Sequence, residues 1–424
     1  MQSTIKILLI GNHACANRGD CAIARGLWQH LELIFKNNHT VMLSRFPVSS
    51  TYLLAREVRK DHLTDYYLAL GNQSMPQRLK RSFIGRYMTV WLACLLKIKQ
   101  RWKVDLSSLL PKAFTSELAF YQEFDLIVQV GGSNLVDLYG PSKFDTGLLA
   151  IFSGKPLLLL GHSLGPFHDR KSRFLAKVLL ESCSGIMVRE PLSAEVLRDC
   201  QILPKNLLLG GDTAWLLQDP LLSSVPRQQK VIFTVRKLAP FEDRVGLSQE
   251  LYNRSIAQLA DQLVNHGYAV EFVSTCTGID NYGNDDRMLA LCIRELCQMK
   301  AEITVEMAEL NDLELMQRFS EAKLVIATRL HSAILAMNTA TPALALAYEH
   351  KTTGIMQDLE LSDWCFPLRA VCEEQLAKQA MTILDLEQPE YQQLQATLQH
   401  SVTRVRQQVE SSIHTVLHNA GVVT

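Results

Sequence analysis

The segment VIATRLHSAI (325–334) sets an arginine, a histidine and a serine at the end of one short apolar run. Arg329 offers a planar fork of N–H donors suited to phosphate or carboxylate. His331 can give or take a proton near neutral pH. Ser332 is expected to open a helix, whose first backbone N–H groups are further anion donors. The next apolar run ends in Tyr348, Glu349, His350 and Lys351, so a second cation stands one β-unit away. Arg189 in MVRE and Arg236 in FTVRKLAP close two other runs. A lone arginine closing a strand usually pairs with a carboxylate. Several of them at strand ends in two facing domains suit a small dianionic ligand.

Three loops carry polar side chains where an α/β fold binds ligands. The first, GNHACANRGDCAI, follows the first apolar run and lacks the GxGxxG of a dinucleotide loop. Asn12, Asn17, Arg18 and Asp20 stand there instead and point to a sugar or anion site. Turn and helix-cap chemistry is the alternative reading for Asn17 and Asp20. GGSNLVDLYG supplies Asn134 and Asp137 as hydroxyl partners, and GHSLGPF ends a fully apolar run on His162 and Ser163. A buried, internally satisfied histidine is the alternative for His162.

The elements that must position these residues are legible as an alternation. Apolar runs at 5–11, 40–44, 125–132, 155–162, 185–190 and 206–211 read as strands buried on both faces. Helical patterns lie between them, at 19–35, 172–182 and 191–199. The theme repeats after a Pro-, Ser- and Gln-rich break, with strands at 230–236, 269–276, 303–307, 324–330 and 342–349. The expected architecture is α/β: two Rossmann-like, doubly wound parallel-sheet domains facing a cleft. Their limits are 1–217 and 230–372, with a linker at 218–229, an insertion at about 46–115, and C-terminal helices from 373 to 424.

Composition agrees. The 424 residues are 47% hydrophobic and 20% charged, enough for real cores and far from a disordered or collagenous chain. With 43 basic and 43 acidic residues the net charge is zero, which argues against bulk nucleic-acid binding. Ten cysteines occur without a CxxC pair, so they read as reduced thiols, not a zinc cage. Neither a secretory h-region nor an 18-residue apolar span is present, which suggests a cytoplasmic location. Residues 78–103 hold eight basic and no acidic residues around the apolar centre YMTVWLACLL. That segment is either a core helix with solvated ends or a helix lying on an anionic membrane on the inner face of the inner membrane.

The motifs GNHACANRGDCAI, SRFPVSS, QVGGSNLVDLYG, GHSLGPF, VRKLAP, STCTGIDNYGNDDRM, ELNDLE, ATRLHSAI and AYEHK together carry a resemblance. The chain resembles the polysaccharide pyruvyl transferase family, most of all its branch acting in colanic-acid-type exopolysaccharide synthesis. Residues 51–115 are hard to place in it. The resemblance implies a GT-B-like pair of domains, phosphoenolpyruvate as donor, and a sugar hydroxyl pair, usually on a lipid-linked oligosaccharide, as acceptor. The family's Arg-Leu-His motif falls on Arg329, Leu330 and His331, its strand-end arginine on Arg189, and its lysine on Lys351.

That donor fits the residues, since Arg189, Arg236, Arg329 and Lys351 are cations for its phosphate and carboxylate. His331 is the expected acid for the methylene carbon, and Asp20, from the opposite domain, the expected group that orients or deprotonates the acceptor. Fixed cations stabilise the leaving phosphate, so neither metal nor cofactor is expected. Two rival readings remain at this level: a nucleotide-sugar glycosyltransferase of the same architecture, and a non-catalytic membrane-associated scaffold of polysaccharide assembly.

Overall fold

The computed structural model describes residues 4–69, 75–219, 222, 226–239, 241–348 and 350–423; the side chains of 65, 67–69, 75–86, 350, 351 and 358 also lie outside the description. Two sheets form, each entirely parallel. The first holds β1 (Ile5–Asn12), β2 (Asn38–Ser44), β3 (Val58–Lys60), β4 (Leu126–Leu135), β5 (Leu157–Leu164), β6 (Gly185–Val188) and β7 (Leu207–Leu209). Its order is β3-β2-β1-β4-β5-β6-β7. The second holds β8 (Lys230–Thr234), β9 (Ala269–Phe272), β10 (Ile303–Val305), β11 (Leu324–Ala327), β12 (Ala343–Ala347) and β13 (Cys365–Pro367), in the order β10-β9-β8-β11-β12-β13. Both are doubly wound α/β sheets, as expected. In each, the winding reverses between the first and fourth strands of the half: β1 and β4, then β8 and β11. Ligands bind at the carboxyl ends of such a switch point.

Burial on both faces explains why the strands read as unbroken apolar runs: Ile7 to Ile10, Leu157 to Leu160 and Leu324 to Ala327 are all within 1% of full burial. Two strands escaped the sequence pattern. β3 and β13 are three-residue edge strands, too short to show a period.

The chain divides into two compact units. The first comprises Met1–Ala14, Leu27–Thr213 and Gln408–Thr424; the second Cys15–Gly26 and Ala214–Gln407. These limits differ from the expected ones at three places. Residues 15–26 join the second unit because Arg25 pairs with Asp312 through two 2.7 Å contacts. Arg18, fully buried, also donates to the carbonyls of Cys15, Ala16 and Leu310, to Thr277 Oγ1 and to Glu309. The long last helix, Gln388–Asn419, is shared between units, because Val409 and Val416 sit against Gly211 and Gly185 in the first. Besides the crossings at 14–15, 26–27 and 407–408, the chain passes from the first unit to the second at 213–214, a few residues before the expected linker at 218–229.

The 46–115 region is part of the first sheet and its cover. β3 lies within it, and the helix Met75–Trp102 buries Met88, Leu92, Ala93, Leu95 and Leu96 in that unit's core. Tyr87, Trp91, Ile98 and Trp102 on the same helix remain 49%, 48%, 44% and 71% exposed. The segment is thus a core helix on one side only. Among the described residues no helix is long and apolar enough to cross a membrane. All ten cysteines are free thiols.

Candidate active site

In the second unit three helices begin around one point. Thr328 and Arg329 follow β11, and Arg329 is the N-cap of the helix Leu330–Met337. Its side chain makes no cap bond. Instead its Nε and Nη2 donate to the two carboxylate oxygens of Asp286, at 2.6 and 2.9 Å. Asp286 opens the helix Asp286–Leu296 and its backbone N–H donates to the Cys276 carbonyl. The helix Arg18–Ile34 starts beside them, its Arg18 N–H donating to the Thr275 carbonyl, and Asn17 forms an antiparallel bridge with Cys276. Three helix N-termini therefore share one region, and their dipoles make a standing field for an anion.

Arg329 is 16% exposed and Asp286 2%. Burial opposes the guanidinium charge, but the Asp286 carboxylate outweighs it and holds its pKa well above the usual value. Because Asp286 takes the Nε–Nη2 edge, the Nη1 side is the edge a ligand can use. Asp286 thus fixes the direction in which the fork points.

Arg236 lies just past β8, at the other side of the switch point. Its guanidinium stands 4.1 Å from the Tyr348 ring centre and 5.1 Å from that of Phe241, and its Nε donates to the Lys237 carbonyl. Tyr348 also acts electrostatically on Arg329. Tyr252, fully buried, ties the loop after β11 in place through a 2.8 Å hydroxyl contact with Thr328. Burial pushes its phenol well above the usual range, keeping it neutral.

His331 is the second residue of its helix and packs against Gly19. A Cβ on Gly19 would lie 2.4 Å from His331 Nδ1 and 2.7 Å from Cγ, so only glycine admits the ring there. Asp20, one residue on, acts electrostatically on Cys276 and Tyr282, both with pKa values raised mainly by burial, Cys276 to about 12. Asn17 accepts the Gly19 N–H at 3.1 Å, a local turn contact. Leu330 is 4% exposed and belongs to the core. Lys351 falls in the helix His350–Asp358, with its side chain outside the described residues. Strand β11 ends at Ala327, earlier than the sequence pattern implied, and this makes Arg329 a helix cap and His331 a helical residue.

The remaining candidates belong to the first unit. Arg189, 1% exposed, donates to Asp212 at 2.7 Å, Ser163 at 2.7 Å, Ser133 at 2.6 Å and Glu190 at 3.3 Å. It is the hub of an internal ion network, with its donors turned inward. Ser163 is a member of that network and donates to Glu190 at 2.8 Å. His162, 1% exposed, contacts the Gln129 carbonyl through Nε2 at 3.2 Å, and burial, then Arg189, pushes its ring down to about 4. It is a neutral interior imidazole at physiological pH. Asp137 accepts the His168 N–H at 2.5 Å, holding a loop. Asn134 donates to the Gly11 carbonyl at 3.3 Å and, with Gln129, lines a cavity of about 280 Å³ in the first unit.

Sequence reading named Arg329, Arg236, His331 and Asp20 but missed Asp286, Tyr252 and Gly19 as the groups that position them. The signal was present in GNDDRM, where two acids open a helix after β9. No pattern in the sequence says which arginine an acid meets 43 positions away.

Among the described residues no cluster of three His, Cys, Asp or Glu side chains is arranged to hold a metal ion. Over residues 17–350 the chain matches the family described as polysaccharide pyruvyl transferase. It is 33% identical to the amylovoran biosynthesis protein AmsJ of Erwinia amylovora over 413 residues, 95% of this chain and 96% of that one. Among solved structures it is similar in fold to Anabaena HepE in complex with UDP and glucose, with a TM-score of 0.55, 12% identity and 99% and 100% of the two chains covered. It is similar too to a putative UDP-N-acetylglucosamine 2-epimerase of Listeria monocytogenes, with a TM-score of 0.52, 14% identity and 95% of each chain covered.

Proposed function

The chain belongs to the polysaccharide pyruvyl transferase family, and from that premise we propose that it moves the pyruvyl group of phosphoenolpyruvate onto two hydroxyls of one sugar, as a ketal, during exopolysaccharide synthesis. The acceptor in this reading is a lipid-linked oligosaccharide of colanic-acid type. The observation that supports the donor assignment is the pair of guanidiniums, Arg236 and Arg329, following the two strands of the β8/β11 switch point, with Tyr348 against the first and electrostatically coupled to the second.

Phosphoenolpyruvate carries a phosphate and a carboxylate on a three-carbon frame, so it needs two anion sites a few ångströms apart. Arg329, aimed by Asp286, takes one group together with the helix N-termini, and Arg236 takes the other. His331 delivers a proton to the methylene carbon, which becomes the methyl group. The first sugar hydroxyl adds to the central carbon, the C–O bond to phosphate breaks, and the second hydroxyl closes the ring. Of the two hydroxyl protons, one balances the proton given to the methyl carbon and the other leaves with phosphate. Asp20 accepts the first and returns it through His331.

The rival donor, a nucleotide sugar, is separated by thermal unfolding. Phosphoenolpyruvate at about 100 times its Kd should stabilise the chain by about 2.7 kcal/mol, a rise of a few degrees, and UDP-glucose should leave it unchanged. The reverse result would replace pyruvyl by glycosyl transfer.

A lipid-linked acceptor also gives a purpose to the exposed stripe on the helix Met75–Trp102. Tyr87, Trp91, Ile98 and Trp102 follow at intervals of four, seven and four, which keeps them within one face. Lys97, Arg101 and Lys103 are exposed nearby, whereas Lys99 is held by the Phe152 carbonyl at 2.7 Å. Aromatic side chains among cations suit an anionic headgroup layer, which attracts each cation by about 1 kcal/mol. Vesicles containing phosphatidylglycerol should therefore co-sediment with the chain. Neutralising Lys97, Arg101 and Lys103, or raising salt, should release it; binding indifferent to both would remove the membrane role.

A further inference from the structure

Arg236 is held unlike the other two strand-end arginines. Arg189 and Arg329 are fixed by carboxylates, whereas Arg236 makes no ion pair with a carboxylate among the described residues. Its Nε donates to the Lys237 carbonyl at 3.0 Å, and its two Nη groups have no hydrogen-bond partner among the described residues.

Two aromatic rings hold the rest of it. The guanidinium carbon lies 4.1 Å from the Tyr348 ring centre and 5.1 Å from that of Phe241. The two ring centres are 5.3 Å apart and their planes are inclined by 52°. These three lengths close a nearly equal-sided triangle, so the cation sits in a notch between two tilted rings and is not sandwiched. The fold places both rings. Phe241 closes a tight turn after β8, its N–H donating to the carbonyl of Leu238, itself 1% exposed. Tyr348 follows β12, which is separated from β8 in the sheet by β11, the strand that leads to Arg329. Rings from loops on either side of β11 thus meet one cation.

This manner of holding has a chemical consequence. A carboxylate occupies the in-plane N–H donors of a guanidinium, as Asp286 does on one edge of Arg329. An aromatic ring takes the face of the group and leaves those donors, and the charge, to a ligand.

We infer that Phe241 and Tyr348 are positioning residues, which hold the Arg236 guanidinium by its faces so that its Nη edge meets one anionic group of the donor. The inference rests on the reading of phosphoenolpyruvate as that donor. Without the rings, a long flexible side chain is ordered only on binding, which weakens affinity by about twofold to tenfold.

Two measurements on the whole chain test it. The first needs no ligand: in protein carrying isotope-labelled arginine, NMR relaxation reads the order parameter of the Arg236 Nε–H bond. It should fall when Phe241→Leu and Tyr348→Leu are combined, and Tyr348→Phe, which keeps the ring face, should restore most of what Tyr348→Leu loses. The second is calorimetric titration with phosphoenolpyruvate. The two leucine changes together should weaken binding by about twofold to tenfold, and should cost nothing further once Arg236→Ala is present. An order parameter indifferent to the rings would overturn the inference. So would an equal loss of affinity in both backgrounds, which would mean that the rings touch the donor or only support the fold. Failure of phosphoenolpyruvate to bind the unsubstituted chain would instead overturn the donor reading, and the ligand-free measurement would still decide whether the rings hold Arg236.

Discussion

Replacing His331 by Asn is expected to lower turnover by about 10²–10⁴-fold, the usual contribution of a positioned general acid, while donor affinity changes little. Asn keeps polarity and approximate size at the second position of the helix Leu330–Met337 but has no proton to give. A phosphate-release assay alongside donor titration separates the two quantities. If affinity falls as far as rate, His331 binds the donor and another group supplies the proton. Gly19→Ala gives an independent arm. Its Cβ would fall 2.4 Å from the ring Nδ1, so the imidazole must move while remaining present. Turnover should drop by at least tenfold, because a displacement near 1 Å is costly in a preorganised site. A Gly19→Ala variant with full activity would show that the ring's position is not used.

Arg329→Ala carries the second large effect, on two measurements at once. Donor affinity should fall by about 1.5–3 kcal/mol, or roughly tenfold to a hundredfold, for the lost charged contact. Stability should fall too, by about 3–5 kcal/mol, because Asp286 is left as a carboxylate 2% exposed with its counter-ion gone. The double variant Arg329→Ala with Asp286→Ala removes both charges and should recover most of the stability but none of the affinity. That cycle distinguishes a donor-binding arginine from one that only neutralises a buried acid. Arg329→Lys should restore affinity in part, since a point charge lacks the planar fork. Donor affinity unchanged in Arg329→Ala would remove the residue from the site.

The chain's own periodicities determined most of the architecture. Strands buried on both faces have no polar alternation to hide them, so runs such as Leu157 to Leu160 announce a parallel sheet, and the repeat of the pattern after residue 230 announces a second. The residue types at strand ends likewise marked Arg236, Arg329 and His331, because cations following apolar runs lie at the carboxyl edge of such sheets. Local order cannot reveal what depends on approach between distant segments. Arg189 and Arg329 look alike in sequence, each following a buried strand. Tertiary packing gave Arg189 two carboxylates and two serine hydroxyls, turning it inward, and gave Arg329 one carboxylate on one edge, leaving the other toward a ligand. The same holds for residues 15–26, whose place with the second unit follows from buried ion pairs formed nearly 300 positions apart. Pairings of that kind are settled by which charges burial brings within about 3 Å, and burial is a property of the folded chain, not of its order.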